Sequence, residues 1–160
     1  MKNEKGFSLT ELMVVVSIIS IIAAVAIPSL VAARMAANEA SAIQGLRAVS
    51  SAEVSFSATH NQQYTNLSSL VAGEYLDSRF SSAGYINGYT YTPGADAPIT
   101  GAPNSGGLPS NFGVLAEPKF GAGRFTYGIA LDQVIRFEGV ASPATYPTGA
   151  STGSPIGKTP

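Results

Sequence analysis

Cysteine is absent from the 160 residues, which excludes a disulfide framework and a thiolate metal site and leaves the fold to stand on packing alone. Charge is scarce as well: nine Lys and Arg face ten Asp and Glu, for a formal net charge of -1, and no block of like charge occurs anywhere. A nucleic-acid grip needs a basic face, so nucleic acid is not an expected partner. Histidine occurs once, as His60, in a polar stretch with no obvious acid partner, and reads as a solvated loop residue. Serine is frequent, as in Ser50-Ser51, Ser68-Ser69 and Ser81-Ser82, but no G-x-S-x-G elbow or phosphate loop accompanies it. The chain is therefore expected not to be an enzyme, and no cofactor is expected. Asp96, Glu117 and Asp132 fall in expected loops where calcium is conceivable, yet they lack the alternating acids of a calcium loop.

Charge is most informative where it is missing. Between Glu11 and Arg34 lie 22 consecutive residues without an ionisable side chain. As a helix they cover roughly 33 Å, about the thickness of a bilayer's hydrocarbon core. Lys2 and Lys5 are the only cations before Arg34, so the positive-inside tendency puts the extreme N-terminus in the cytoplasm and the remainder outside. Length and composition leave room for one domain beside this segment.

Three details of the opening MKNEKGFSLTELMVVVSIISIIAAVAIPSL do not suit a plain anchor. Glu11 stands four residues after Phe7 at the head of the apolar run, Gly6 marks the boundary between the charged leader and the first large apolar residue, and Pro28 falls where a helix should continue. An Asp, Lys or Arg at mid-bilayer costs about 2.5 to 3.5 kcal/mol, and a Glu near the helix end costs less because it reaches the interface. Glu11 can thus be a snorkelling or helix-capping residue. Alternatively, cutting the bond after Gly6 would give Phe7 a free ammonium one helical turn from Glu11, and a neighbouring subunit's ammonium would neutralise the carboxylate inside a dry bundle.

The run K-G-F-S-L-T-E-L, followed by the Val/Ile/Ala stretch and Pro28, resembles the class III signal of type IV prepilins, over about the first 30 residues. The resemblance implies that a prepilin peptidase cuts between Gly6 and Phe7 and methylates the Phe7 amine. Removing six residues from 160 leaves 154. It further implies that Glu11 sets subunit registry, that Pro28 loosens the helix, and that a membrane platform and an ATPase drive assembly. A rival reading is conventional secretory cleavage at Ala24-Val25-Ala26, which would release a soluble domain starting at Ile27. Against it, Leu12 to Ile27 is longer than the usual apolar core of such signals and has an acid beside it.

Beyond Pro28, Met35, Ala42, Ile43, Leu46, Val49 and Phe56 recur at threes and fours, one apolar stripe on a helix reaching about Ala58. Pro28 predicts a kink or loosening rather than two helices, and Gly45 a weakening of about 1 kcal/mol. Residues 60–66 read as a loop, followed by a helical turn capped by Asn66, with Leu67, Leu70 and Val71 inward and Gly73 as its end. Strands are expected at 84–92, 124–131 and 134–137, with a long loop over 93–111 and a tight turn at Asp132-Gln133.

The expected architecture is α+β: a long N-terminal helix packed against an antiparallel sheet of three or four strands, the arrangement the resemblance also implies. The divisions are a leader at 1–6, a hydrophobic span at 7–30, an amphipathic continuation at 31–58, a globular part at 59–138 and a Ser/Thr/Pro/Gly-rich tail at 139–160, read as an irregular strap or a disordered end. The leading functional expectation is a homo-oligomeric pilus-like filament serving adhesion, motility or DNA uptake, with an inner-membrane precursor. The alternatives are a pseudopilin of a type II secretion system, whose relatives bind calcium in late loops, and a secreted or tethered binding domain that never polymerises.

Overall fold

The computed structural model describes residues 6–80, 84–93, 112–139 and 154–156. Helix α1 (Leu9–Thr59) is followed by helix α2 (Leu67–Ala72), a single 3-10 turn (Ser78–Phe80) and strands β1 (Tyr89–Pro93), β2 (Gly113–Pro118), β3 (Phe125–Ala130), β4 (Arg136–Gly139) and β5 (Ser154–Pro155). The strands form one antiparallel sheet in chain order, β1-β2-β3-β4-β5. The chain divides into two compact units, Met1–Arg34 and Met35–Pro160, with α1 contributing to both.

The helical assignment runs through Pro28 without interruption, as the reading of one helix rather than two required. Proline's missing N–H leaves the carbonyl of Ala24 without its usual donor. Ser17 and Ser20, two of the three hydroxyls inside the charge-free run, donate to the carbonyls of Met13 and Val16 at 2.8 and 2.7 Å. These bonds back onto the helix satisfy each hydroxyl without water, which an apolar surrounding demands.

In the second unit, Ala42, Leu46, Val49 and Phe56 of the stripe predicted from spacing are buried and, with Ala52, meet Tyr89, Val114, Ala116, Tyr127 and Ile129 from the sheet in one core, Ile43 packs against it half-buried, and Met35 is half-buried outside it. This is the α+β packing of helix on antiparallel sheet that the sequence predicts. Gly45 has a packing reason. A Cβ there would lie 2.0 Å from the Tyr91 hydroxyl, so the glycine lets that ring close on the helix, where the hydroxyl donates to the Ala42 carbonyl at 3.5 Å. The α2 turn is capped as expected, the Asn66 side chain accepting from the Ser69 N–H at 2.8 Å.

The strand boundaries differ from the sequence reading in three places. The expected strand at 84–92 begins only at Tyr89, because Asn87 (φ 49°) and Gly88 (φ 81°) form a tight turn closed by paired bonds between Ile86 and Tyr89 at 2.8 and 3.0 Å. Strand β2 was not assigned from sequence. Its residues 113–116 are all buried, with Val114 and Ala116 in the main core and Leu115 in a second cluster with Ala130, so it shows no alternation to read. The last hairpin strand runs over Arg136–Gly139 rather than 134–137. The turn before it is wider than expected, with the Asp132 carboxylate accepting from the Val134 N–H and clasped by both Arg136 terminal nitrogens. From the expected tail, Ser154–Pro155 pairs with β4. Pro93, expected to open the loop over 93–111, closes β1 instead; the rest of that loop, the tail apart from Gly139 and 154–156, Ser81-Ser82, Asp96, Lys2 and Lys5 lie outside the described residues.

Candidate functional site

The head of α1 is built from a short polar sequence. Gly6, Phe7 and Ser8 are non-helical and exposed, and the helix starts at Leu9. The Ser8 carbonyl accepts the Leu12 N–H at 3.2 Å, which makes Ser8 the residue that opens the helix. Its hydroxyl meets that of Thr10 at 2.6 Å. Glu11 therefore falls in the first turn, where unpaired N–H groups and the helix dipole favour a carboxylate. Ser8-Leu9-Thr10-Glu11 also has the Ser-x-x-Glu spacing of a helix start, a local signal the sequence reading left unused.

This arrangement has two chemical consequences. The Gly6–Phe7 bond sits in exposed, non-helical chain with nothing within 4 Å of a notional Gly6 side chain, and a hydrolase needs a bond it can reach. Cleavage there would free an ammonium on Phe7, which is 86% exposed, close in sequence to the Glu11 carboxylate. Behind Glu11 the helix is apolar all round: Leu12, Met13, Ile18, Ile19, Ile22, Val25 and Ile27 are all exposed. A helix without a polar face is covered by lipid or by other helices. Among the described residues α1 alone is long and apolar enough to cross a membrane, by length and composition. Pro28 lies within this apolar segment, about 17 residues beyond Glu11 in sequence, and the two are not neighbours on the helix.

Elsewhere the expected candidates are distributed singly. His60 stacks on Phe56 with ring centroids 3.8 Å apart and is hydrogen-bonded through Nδ1 to Thr59 and the Phe56 carbonyl. Glu117, on β2, accepts from the Thr92 hydroxyl at 3.4 Å, while Asp132 is held by Arg136 beyond the opposite end of the β2–β3 pair. Among the described residues no three of His, Cys, Asp and Glu gather into a metal-sized group.

Two buried carboxylates escaped the sequence reading because each sat on a helix face that looked merely polar. Glu39 is clasped by Arg124, accepting its backbone N–H at 2.8 Å, its Nε at 3.1 Å and its Nη2 at 2.9 Å. Burial pushes this carboxyl up, but the Arg124 bonds and charge outweigh it and hold the group below the usual range. Glu53 is fully buried and accepts only the Thr65 N–H, at 3.2 Å. Burial pushes it up to about 7, the Thr65 bond offsetting only part of that.

The first 27 residues match a family model described as the prokaryotic N-terminal methylation motif. Among curated proteins, the chain is 59% identical over 39 residues to the type IV wide pilus major component PilA4 of Thermus thermophilus. That match covers 24% of this chain and 30% of the relative, so the similarity reaches less than a third of the relative's length. Both findings bear out the resemblance to type IV pilins carried by K-G-F-S-L-T-E-L.

Proposed function

We propose that this chain is the structural subunit of a type IV pilus-like filament. It is inserted in the inner membrane with its N-terminus cytoplasmic, cut between Gly6 and Phe7, N-methylated on Phe7 and polymerised through the apolar half of α1. The filament is extracellular. The observation that supports this most directly is the pairing of a helix exposed and apolar on every side with one carboxylate, Glu11, in its first turn. Moving such a helix from lipid into a bundle exchanges one apolar surrounding for another, so association depends on close packing and on answering the carboxylate. The ammonium of a neighbouring subunit's Phe7 supplies that answer and fixes the register of one subunit on the next.

The chain offers no phosphate loop, so the energy of extraction comes from an ATPase acting through a membrane platform, and the leader is removed by a prepilin peptidase. Mass spectrometry of the assembled subunit tests the processing: the expected N-terminus is N-methylated Phe7, and a chain starting at Ile27 or retaining the leader overturns the proposal. Glu11→Ala tests the assembly, with filaments lost in electron micrographs while the membrane-inserted precursor persists.

A further inference from the structure

Arginine is used unevenly in the second unit. Arg79, Arg124 and Arg136 hold Asp77, Glu39 and Asp132 in turn, whereas Arg47, exposed on α1, holds no acid among the described residues. It stands at a depression of about 300 Å³, lined also by Ser51 and Val54 from the helix and by Ile129 and Gln133 from β3 and the turn after it. No acid among the described residues lines it. Such a volume is at the lower limit of small-molecule pockets and suits a single side chain. Val54 and Ile129 offer an apolar wall to a methylene stem, and the guanidinium offers a carboxylate a planar fork of donors, with the Gln133 amide and Ser51 hydroxyl beside it.

The same unit has an acid without a cation. Glu39, Asp77 and Asp132 are taken by the three arginines, Glu53 is buried, Glu117 accepts from Thr92, and Glu138 is half-buried on β4. Among the described carboxylates of this unit, Glu74 alone is both exposed and unpaired. The turn that ends α2 holds it firmly: the Glu74 N–H donates to the Val71 carbonyl at 3.1 Å and the Tyr75 N–H to the Leu70 carbonyl at 2.9 Å. Its φ is 61°, the left-handed conformation that glycine usually takes just past a helix end. A glutamate there is sterically costly, and no side-chain contact among the described residues offsets the cost.

Arg47 and Glu74 do not pair within one chain, but two copies can bring them together. A contact in which a patch on one subunit meets a different patch on the next is the heterologous kind that propagates into a filament. We infer that the Arg47 depression receives the Glu74 carboxylate of a second copy of the chain, as a charged clasp between the second units of neighbouring subunits. This deepens the filament reading proposed above and rests on it.

Charge exchange in the full-length chain tests the clasp. Arg47→Glu and Glu74→Arg are each expected to lower the ratio of sheared filament to membrane-held precursor about tenfold, and the chain carrying both to recover to within about threefold of the unaltered one. Both side chains are exposed, so urea midpoints in mild detergent should stay unchanged in all three. A second measurement does not depend on those yields. The chain has no cysteine, so Arg47→Cys and Glu74→Cys subunits produced together place one thiol on each side of the contact. A short bis-maleimide added to the mixed filaments is expected to give a covalent dimer that neither variant gives alone. Undiminished filament from either single exchange, or no mixed dimer, overturns the clasp and leaves the filament reading standing. A mixed dimer formed with Glu138→Cys in place of Glu74→Cys also overturns it. If the unaltered chain forms no filament, the filament reading falls and the clasp falls with it.

Discussion

Along α1, residues 12–33 bury no side chain within this chain, whereas residues 35–59 bury Glu39, Ala42, Leu46, Val49, Ser50, Ala52, Glu53 and Phe56. The first stretch is apolar on every side. The second keeps one apolar stripe and gives its remaining faces to Ser, Asn, Gln and Arg. One hydrogen-bonded backbone thus serves two surroundings, and the side-chain pattern alone records where one gives way to the other. An all-round apolar surface asks to be covered by something other than this chain, while a stripe is satisfied by the chain's own sheet.

The sharpest way to break this comparison is to remove the same kind of bulk from each stretch. Leu46 has no exposed surface, and Leu46→Ala is expected to destabilise the second unit by about 2 to 5 kcal/mol. Ile19 is exposed, and Ile19→Ala is expected to leave that stability within about 0.5 kcal/mol while weakening filament packing. All seven tyrosines lie beyond residue 60, so urea unfolding of the full chain in mild detergent, followed by tyrosine near-UV circular dichroism, reports the second unit alone. Equal losses for the two variants would erase the distinction between the stretches.

The two stretches also treat a carboxylate differently. Glu11 stands exposed at the helix head, open to a partner from another chain, whereas Glu53 is sealed in the core and answered mainly by a proton. Its pKa is raised from 4.5 to about 7, so the folded state holds a proton that the unfolded state releases earlier. The stability from this group is therefore complete at low pH and is lost as pH rises from about 4.5 to 7, by about 3 kcal/mol in all. Glu53→Gln should flatten that slope. Urea midpoints measured across this window check it, and an unchanged slope in the variant would show that Glu53 is not the titrating group.

How much of this was legible depended on how local the cause was. The charge-free run, Gly6-Phe7, Glu11 and the Asn66 cap are each written within a few residues, and the buried stripe of α1 follows from spacing alone. Strand β2 was hidden because burial on both faces removes the alternation that marks a half-exposed strand, even though Phe112 to Ala116 is a short apolar run ahead of a proline. The Asn87-Gly88 dipeptide carried a turn signal and was absorbed into a strand that starts two residues later. Glu39, Glu53 and Gly45 were beyond reach from sequence. Their partners Arg124, Thr65 and Tyr91 lie 85, 12 and 46 positions away, and only the packed sheet and loop bring them together.

Gly45 gives the finest test of the comparison, because helix propensity and packing make opposite predictions there. On an exposed helix, Gly→Ala gains about 1 kcal/mol through the alanine's smaller loss of backbone entropy. At position 45 the added methyl would meet the Tyr91 hydroxyl at 2.0 Å and the ring carbon bearing it at 2.6 Å. That ring packs edge-on against Phe80, with centroids 4.9 Å apart, so moving it off the methyl gives up this contact. Overpacking costs about 1 to 3 kcal/mol, so Gly45→Ala should be destabilising by about 1 kcal/mol net. Pairing it with Tyr91→Leu should make the alanine less costly than it is beside tyrosine, and the double-mutant cycle in urea measures the difference. If Gly45→Ala instead stabilised the chain, the close seating of β1 on α1 would be wrong, and this part of the helix would behave like its exposed first half.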